Sequence, residues 1–215
     1  MRLPDNWRKA PLTAGLAIVT SAAWLIVALF QLDYWAADTF GFWPASPVAS
    51  PVPVWLEPLT ATFVHSGLVH LLFNMVILVF CGRPVESVLG TPAMAVLYLL
   101  GAYAAAGAQY LVDPIAIAPM IGASGAISAV LGAYAMLFGR NKVKVSNPTV
   151  ALWLNALWLM AAWIVLQVII GIALQGGSFL TGGQGLTIAV AAHVGGFVVG
   201  VLLANPLLLF KYRKA

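Results

Sequence analysis

The sequence predicts an all-α membrane protein, a bundle of six transmembrane helices with both termini cytoplasmic. Three observations carry that expectation. Hydrophobic residues make up 62% of the 215 and charged residues only 7%, with mean hydropathy +0.99. A soluble domain carries about a quarter charged residues, so this chain could not cover a water-facing surface. Six apolar runs, at about 11–32, 63–82, 91–110, 123–139, 149–174 and 187–210, are near the ~20 residues a helix needs to cross a bilayer. Finally, all ten Lys and Arg residues fall on one side of those six crossings.

The runs are continuous and not alternating, so they are helices and not barrel strands. The expected organisation is an N-terminal segment (1–10), one membrane domain (11–210) and a short C-terminal tail (211–215). No cleavable signal peptide is expected, because the first span is long and no small-residue cleavage site follows it. Arg2, Arg8 and Lys9 precede the first span, and Arg83 lies between the second and third. Arg140, Lys142 and Lys144 lie between the fourth and fifth, and Lys211, Arg213 and Lys214 follow the sixth. Asp33, Asp38, Glu57 and Asp113 fall on the opposite side. By the positive-inside rule both ends of the chain face the cytoplasm. The net charge of +4 is therefore a topology signal and gives no reason to expect nucleic acid. The single cysteine, Cys81, cannot form an intrachain disulfide and reads as inert packing.

Two external connections stand out. Residues 33–62 hold six large aromatics and five prolines, which suggests a loop lying in the outer interface, with no long helix. Residues 175–186, "QGGSFLTGGQGL", carry five glycines and read as a movable cap over a site.

Polar groups inside spans are functional candidates by default. They are His70 and Asn74 in the second span, Ser124 and Ser128 in the fourth, and His193 in the sixth. Asn155, Gln167 and Asn205 read as glue between helices. At 1.5 Å per residue, Ser124 lies about 24 Å above Arg140, His193 about 27 Å above Lys211, and His70 about 20 Å above Arg83. Three helices thus bring polar groups to one level. Small faces on the fourth span (Ser124, Ser128, Gly132) and the sixth (Gly196, Gly200, Ala204) allow close approach, within reach of a Ser124–His193 contact. A serine beside a histidine is an activated nucleophile.

Other chemistries lack their parts. His65 and His70 are five apart with no acid between them and make poor joint metal ligands, so no metal or other cofactor is expected. No aspartate lies within a span, which removes aspartyl chemistry. No acid is placed to orient the histidine, so serine chemistry would run on a dyad. The Ser124 backbone N–H, at a helix start, could donate to an oxyanion, with His70 and Asn74 at the same level.

These residues resemble the rhomboid intramembrane serine proteases. The resemblance covers the second to sixth spans: "HSGLVHLLFNM" (His65, His70, Asn74), "GRPVE" (Gly82, Glu86), "GASG" (Gly122 to Gly125) and "AHVGGFVVG" (His193, Gly196, Gly200). It implies Ser124 as nucleophile, His193 as general base and then acid, and an oxyanion hole from His70, Asn74 and the Ser124 N–H. His65, Gly82, Glu86, Gly122, Gly125, Gly196 and Gly200 would support the site. It further implies a water-filled cavity open outward, single-span transmembrane proteins as substrates within the lipid bilayer, and the fifth span and 175–186 as gate and cap. The expected location is a prokaryotic cell (inner) membrane. Two positions depart from the family pattern. Leu56 and Glu57 replace the Trp-Arg of the first loop, and Ser128 replaces an aromatic that stacks on the histidine. The alternative is a catalytically inactive rhomboid-like binding or chaperone protein. A small-solute transporter would want broken-helix repeats and paired intramembrane charges, which the sequence lacks.

Overall fold

The computed structural model describes residues 7–45, 51–139, 145–174 and 189–212. Its helices are α1 (Pro11–Leu29), α2 (Asp33–Phe40), α3 (Glu57–Thr60), α4 (Leu68–Leu89), α5 (Thr91–Val112), α6 (Ser124–Phe138), α7 (Pro148–Leu174) and α8 (Val190–Tyr212). Single 3-10 turns lie at Trp7–Lys9 and Ala61–Phe63. Among the described residues there is no strand, only an isolated antiparallel bridge between Phe42 and Met120. The glycine-rich segment 175–186 and Arg2, Arg140, Lys142, Lys144, Arg213 and Lys214 lie outside the described residues.

Helices α1, α4, α5, α7 and α8 are long and apolar enough to cross a membrane. α6 is shorter: its 15 residues span about 22 Å, less than the ~30 Å hydrocarbon core. It is also central. Its side chains from Gly125 to Ala133 are all buried, and it is surrounded by α8, α5 and α4, with α7 making much less contact.

The second span is displaced from the expected 63–82. Its helix begins at Leu68 and runs to Leu89, through Pro84, so Arg83 and Glu86 belong to the helix and not to a loop. Proline in a helix interior loses a hydrogen bond, which membrane helices tolerate when neighbours satisfy the freed groups. Gly90, at φ +87° and ψ 159°, then ends α4 and starts α5 in an extended positive-φ conformation open essentially to glycine alone.

Glu86 is fully buried and answers to the start of α1. Its Oε1 accepts from Leu12 N–H at 2.9 Å, and its Oε2 accepts from Thr13 N–H and Thr13 Oγ1, both at 2.7 Å. Thr91 Oγ1 at the start of α5 donates to Oε1 at 2.9 Å. The N–H groups of a first helical turn have no partners within their own helix, and a carboxylate there also meets the positive end of the dipole. Four donors offset the cost of burying the charge. At the same end, Lys211 Nζ donates to Val88 O at 2.6 Å. Arg8, Lys9, Arg83 and Lys211 therefore share one end of the bundle.

The opposite end holds the long first loop. Phe42 and Trp43 are buried, while Tyr34, Trp35 and Trp55 are exposed, so only part of the expected aromatic surface faces outward. The inward turn has a polar cause. Glu57, buried in the loop, accepts from Trp43 N–H at 3.2 Å, and the Trp43 indole donates to Asp38 O at 3.2 Å. Tyr103 OH on α5 donates to Trp55 O at 2.5 Å. Glu57 thus ties down the loop from the position where the family pattern has arginine.

Replacing Glu86 by Ala leaves two helix-terminal N–H groups buried without an acceptor. The expected loss is about 2–4 kcal/mol of unfolding free energy in mixed micelles, with a smaller loss for Glu86→Gln. A change within about 0.5 kcal/mol, ordinary for a surface substitution, would show that the carboxylate does not hold α1.

Candidate active site

Helices α6 and α8 cross backbone on backbone. A Cβ built at Gly196 would run into Gly125 O, one at Gly200 into Ala129 O, and one at Gly132 into Phe197 O. Each obstacle is main chain, which cannot swing aside as a side-chain tip can. Small residues at these points let membrane helices approach closely. α5 joins the same cluster, with Ala105 against Gly125, Ala129 against Gly101, and Ala104 and Ala108 against Gly195. The α5 contribution was readable only as small residues at helical spacing, which the sequence reading did not single out.

That crossing sets the two key side chains together. Ser124 opens α6 and His193 lies in the first turn of α8, with Oγ and Nε2 2.8 Å apart. His193 is buried, and its Nδ1 has no hydrogen-bond partner among the described residues. The neighbour the ring does have is Trp163 of α7, with ring centroids 6.1 Å apart and planes at 78°. Edge-to-face aromatic pairs are worth about 1 kcal/mol beyond their burial.

The Ser128 hydroxyl donates to Ser124 O at 2.7 Å and accepts from the Trp163 indole N–H at 3.0 Å. It supports the aromatic neighbour of His193. Trp163 was missed in the sequence, and so was Gln167 as a cavity residue. Both are buried on α7, and their spacing of four puts them on one face. Asn155 is buried, its Nδ2 without a partner among the described residues, whereas Asn205 is exposed on α8.

The chain approaches α6 through Gly122, whose φ is +112°. A Cβ there would stand 2.7 Å from the His70 ring, and its N–H donates to Ala61 O at 2.9 Å. Glycine is needed on both counts. Phe42 and Met120 exchange hydrogen bonds of 3.0 and 2.8 Å just upstream, which ties this approach to the first loop. Ala123 N–H donates to His65 Nε2 at 3.5 Å. The first intrahelical bond runs from Ile127 N–H to Ala123 O, so the N–H groups of Ser124, Gly125 and Ala126 precede it.

His70 lies beside this turn, its ring 4.8 Å from that of His65 and its Nδ1 3.2 Å from Ser66 Oγ. Asn74 is buried one turn along α4. Its amide donates to His70 O at 3.0 Å and its Oδ1 has no partner. A cavity of about 380 Å³ is lined by Ser124, His193 and His70 together with Gln109, Asp113 and Gln167. Asn74 is not on its wall. Gly82 and Glu86 lie far from it: Gly82 packs on Thr13, and Glu86 is about 24 Å along α4 from His70. Among the described residues no group of three or more His, Cys, Asp or Glu is placed to hold a metal.

Residues 53–210 match the family model of the rhomboid domain. The chain is 28% identical over 197 residues to rhomboid protease GlpG of Pectobacterium atrosepticum, covering 92% of this chain and 63% of that protein. It is 30% identical over 199 residues to rhomboid protease GlpG of Serratia proteamaculans, with the same coverage of 92% and 63%. It is 31% identical over 153 residues to RHOMBOID-like protein 4 of Arabidopsis thaliana, covering 70% of this chain and 34% of that one. The chain thus spans less than two thirds of the length of these relatives. The domain match runs from the end of the first loop into α8 and takes in Ser124, His193, His70 and every other cavity residue except Pro44. This protein belongs to the rhomboid family.

Proposed function

We propose that the protein is an intramembrane serine endopeptidase that cleaves transmembrane segments of single-span membrane proteins, with Ser124 as nucleophile and His193 as its base. The observation that carries this reading is the 2.8 Å contact between Ser124 Oγ and His193 Nε2, made at a cavity that also holds His70, Gln109, Asp113 and Gln167. With its proton on Nδ1, the imidazole accepts the hydroxyl proton at Nε2 as Oγ attacks the scissile carbonyl carbon. The carbonyl electrons move onto oxygen, and the Ser124 N–H at the positive end of α6, with the His70 ring, faces that oxyanion. Asn74, one turn along α4 and off the cavity wall, supports His70 through its bond to the His70 carbonyl. His193 then passes the proton from Nε2 to the leaving amine. Water, admitted by the polar cavity wall, repeats the sequence on the acyl-enzyme.

Substrate would enter beside α7, the transmembrane helix with little contact to its neighbours α6 and α8. The basic residues at the Glu86 end, opposite the cavity, favour cytoplasmic termini, and the bacterial relatives favour a prokaryotic cell (inner) membrane. An impermeant thiol reagent should reach a cysteine at position 38 from outside in a Cys81→Ala background; protection there would reverse the orientation.

In liposomes with a panel of single-span substrates, Ser124→Ala and His193→Ala should each abolish cleavage, with losses that do not add, because the pair acts as a unit. His70→Ala should lower kcat by about 10²–10³ with little change in KM, as loss of an oxyanion donor does. Asn74→Ala should act the same way but more weakly. Turnover by Ser124→Ala would refute the mechanism. Capture of substrates without cleavage by the wild type would favour the inactive binding protein.

A further inference from the structure

We infer that Trp163 is the positioning residue of the dyad: its indole, pinned by Ser128, orients the His193 imidazole, the role an acid has in a triad. The inference rests on the protease reading above.

The imidazole needs such a partner. Its Nε2 meets Ser124, but its Nδ1 has no hydrogen-bond partner among the described residues, so no acceptor there fixes the ring's rotation. Trp163 supplies a wall at 6.1 Å and 78°, an edge-to-face arrangement that favours one ring orientation over its neighbours. The indole is itself held. Its N–H donates to Ser128 Oγ, whose hydroxyl donates to the carbonyl of Ser124. The contacts close a loop: Ser124 hydroxyl, His193, Trp163, Ser128, Ser124 carbonyl. The orientation of the base is thereby referred back to the backbone of the nucleophile. Trp163 and Ser128 are both buried, so water does not compete for these bonds.

The geometry also explains why a serine serves at 128. An aromatic side chain there would occupy the space into which α7 inserts its indole. A purely structural role for Trp163 would bind α7 to α6 and lower stability when removed, with no selective effect on turnover. The two roles separate experimentally.

The test compares Trp163→Phe, which keeps a ring beside His193, with Trp163→Leu, which fills space without one, in liposomes with a cleaved single-span substrate. A misplacement of about 1 Å in a reacting group can cost about 10²-fold. Trp163→Leu should therefore lower kcat by about 10–100-fold with KM within about twofold, while Trp163→Phe stays within about fivefold of wild type. Ser128→Ala, which frees the indole N–H but leaves it packed, should cost less than about tenfold, or 1.4 kcal/mol. Should Trp163→Leu fail to fold, Trp163→Ile and Trp163→Met carry the same comparison. Equal kcat for the Leu and Phe variants, whether both high or both low, would overturn the positioning role. Wild-type cleavage that persists in Ser124→Ala would instead overturn the protease reading on which the inference stands.

Discussion

The backbone crossing of α6 and α8 is the constraint on which the rest of the structure depends. Within lipid, apolar side chains gain nothing by leaving their surroundings for one another, so helices associate through close van der Waals contact and polar bonds. Gly196 lies on Gly125 O and Gly200 on Ala129 O, and the helices can come no closer. The same closeness sets Ser124 Oγ 2.8 Å from His193 Nε2. Hydrogen bonds of this kind fade beyond about 3.2 Å, so a methyl group at either glycine would stretch the contact while it loosened the bundle. Stability and chemistry make one demand on the same residues.

A second theme is how polar groups are kept in a chain with 7% charged residues. The two buried carboxylates, Glu57 and Glu86, serve backbone N–H groups, Glu57 in the first loop and Glu86 at the start of α1. Ser128 is bonded on both sides. The polar side chains that line the cavity are the group left to meet water or substrate. They gather where the first turns of α4, α6 and α8 meet the last turn of α5, with Gln167 reaching in from α7.

Much of this was legible in the sequence, for identifiable reasons. Apolar run lengths pointed to the long helices, and the described basic residues Arg8, Lys9, Arg83 and Lys211 lie toward one end of the bundle. Ser124 and His193 could be paired because both depth and small-residue faces are one-dimensional properties, readable along a single helix. The register of α4 was not legible. Arg83, Pro84 and Glu86 look like the end of a helix, and the donors that meet Glu86 within the helix come mainly from α1, more than seventy residues upstream. Trp163 was hidden for a related reason. It is one of eight tryptophans, and nothing local separates it from those that face lipid; its contact with Ser128 spans 35 residues. Gln167 and Asn205 were both read as glue, yet the first faces the cavity and the second faces outward, because the rotation of α7 and α8 about their axes is set by neighbours and not by their own residues.

The most direct test of the account is the location of a covalent adduct. A mechanism-based isocoumarin or fluorophosphonate, applied to the protein in liposomes and mapped by mass spectrometry, should modify Ser124 alone. Modification should vanish when His193 is replaced by Ala in a protein that still folds. An adduct on Ser128 or Ser66, or modification of Ser124 that does not depend on His193, would contradict the claim that the α6–α8 crossing creates the nucleophile.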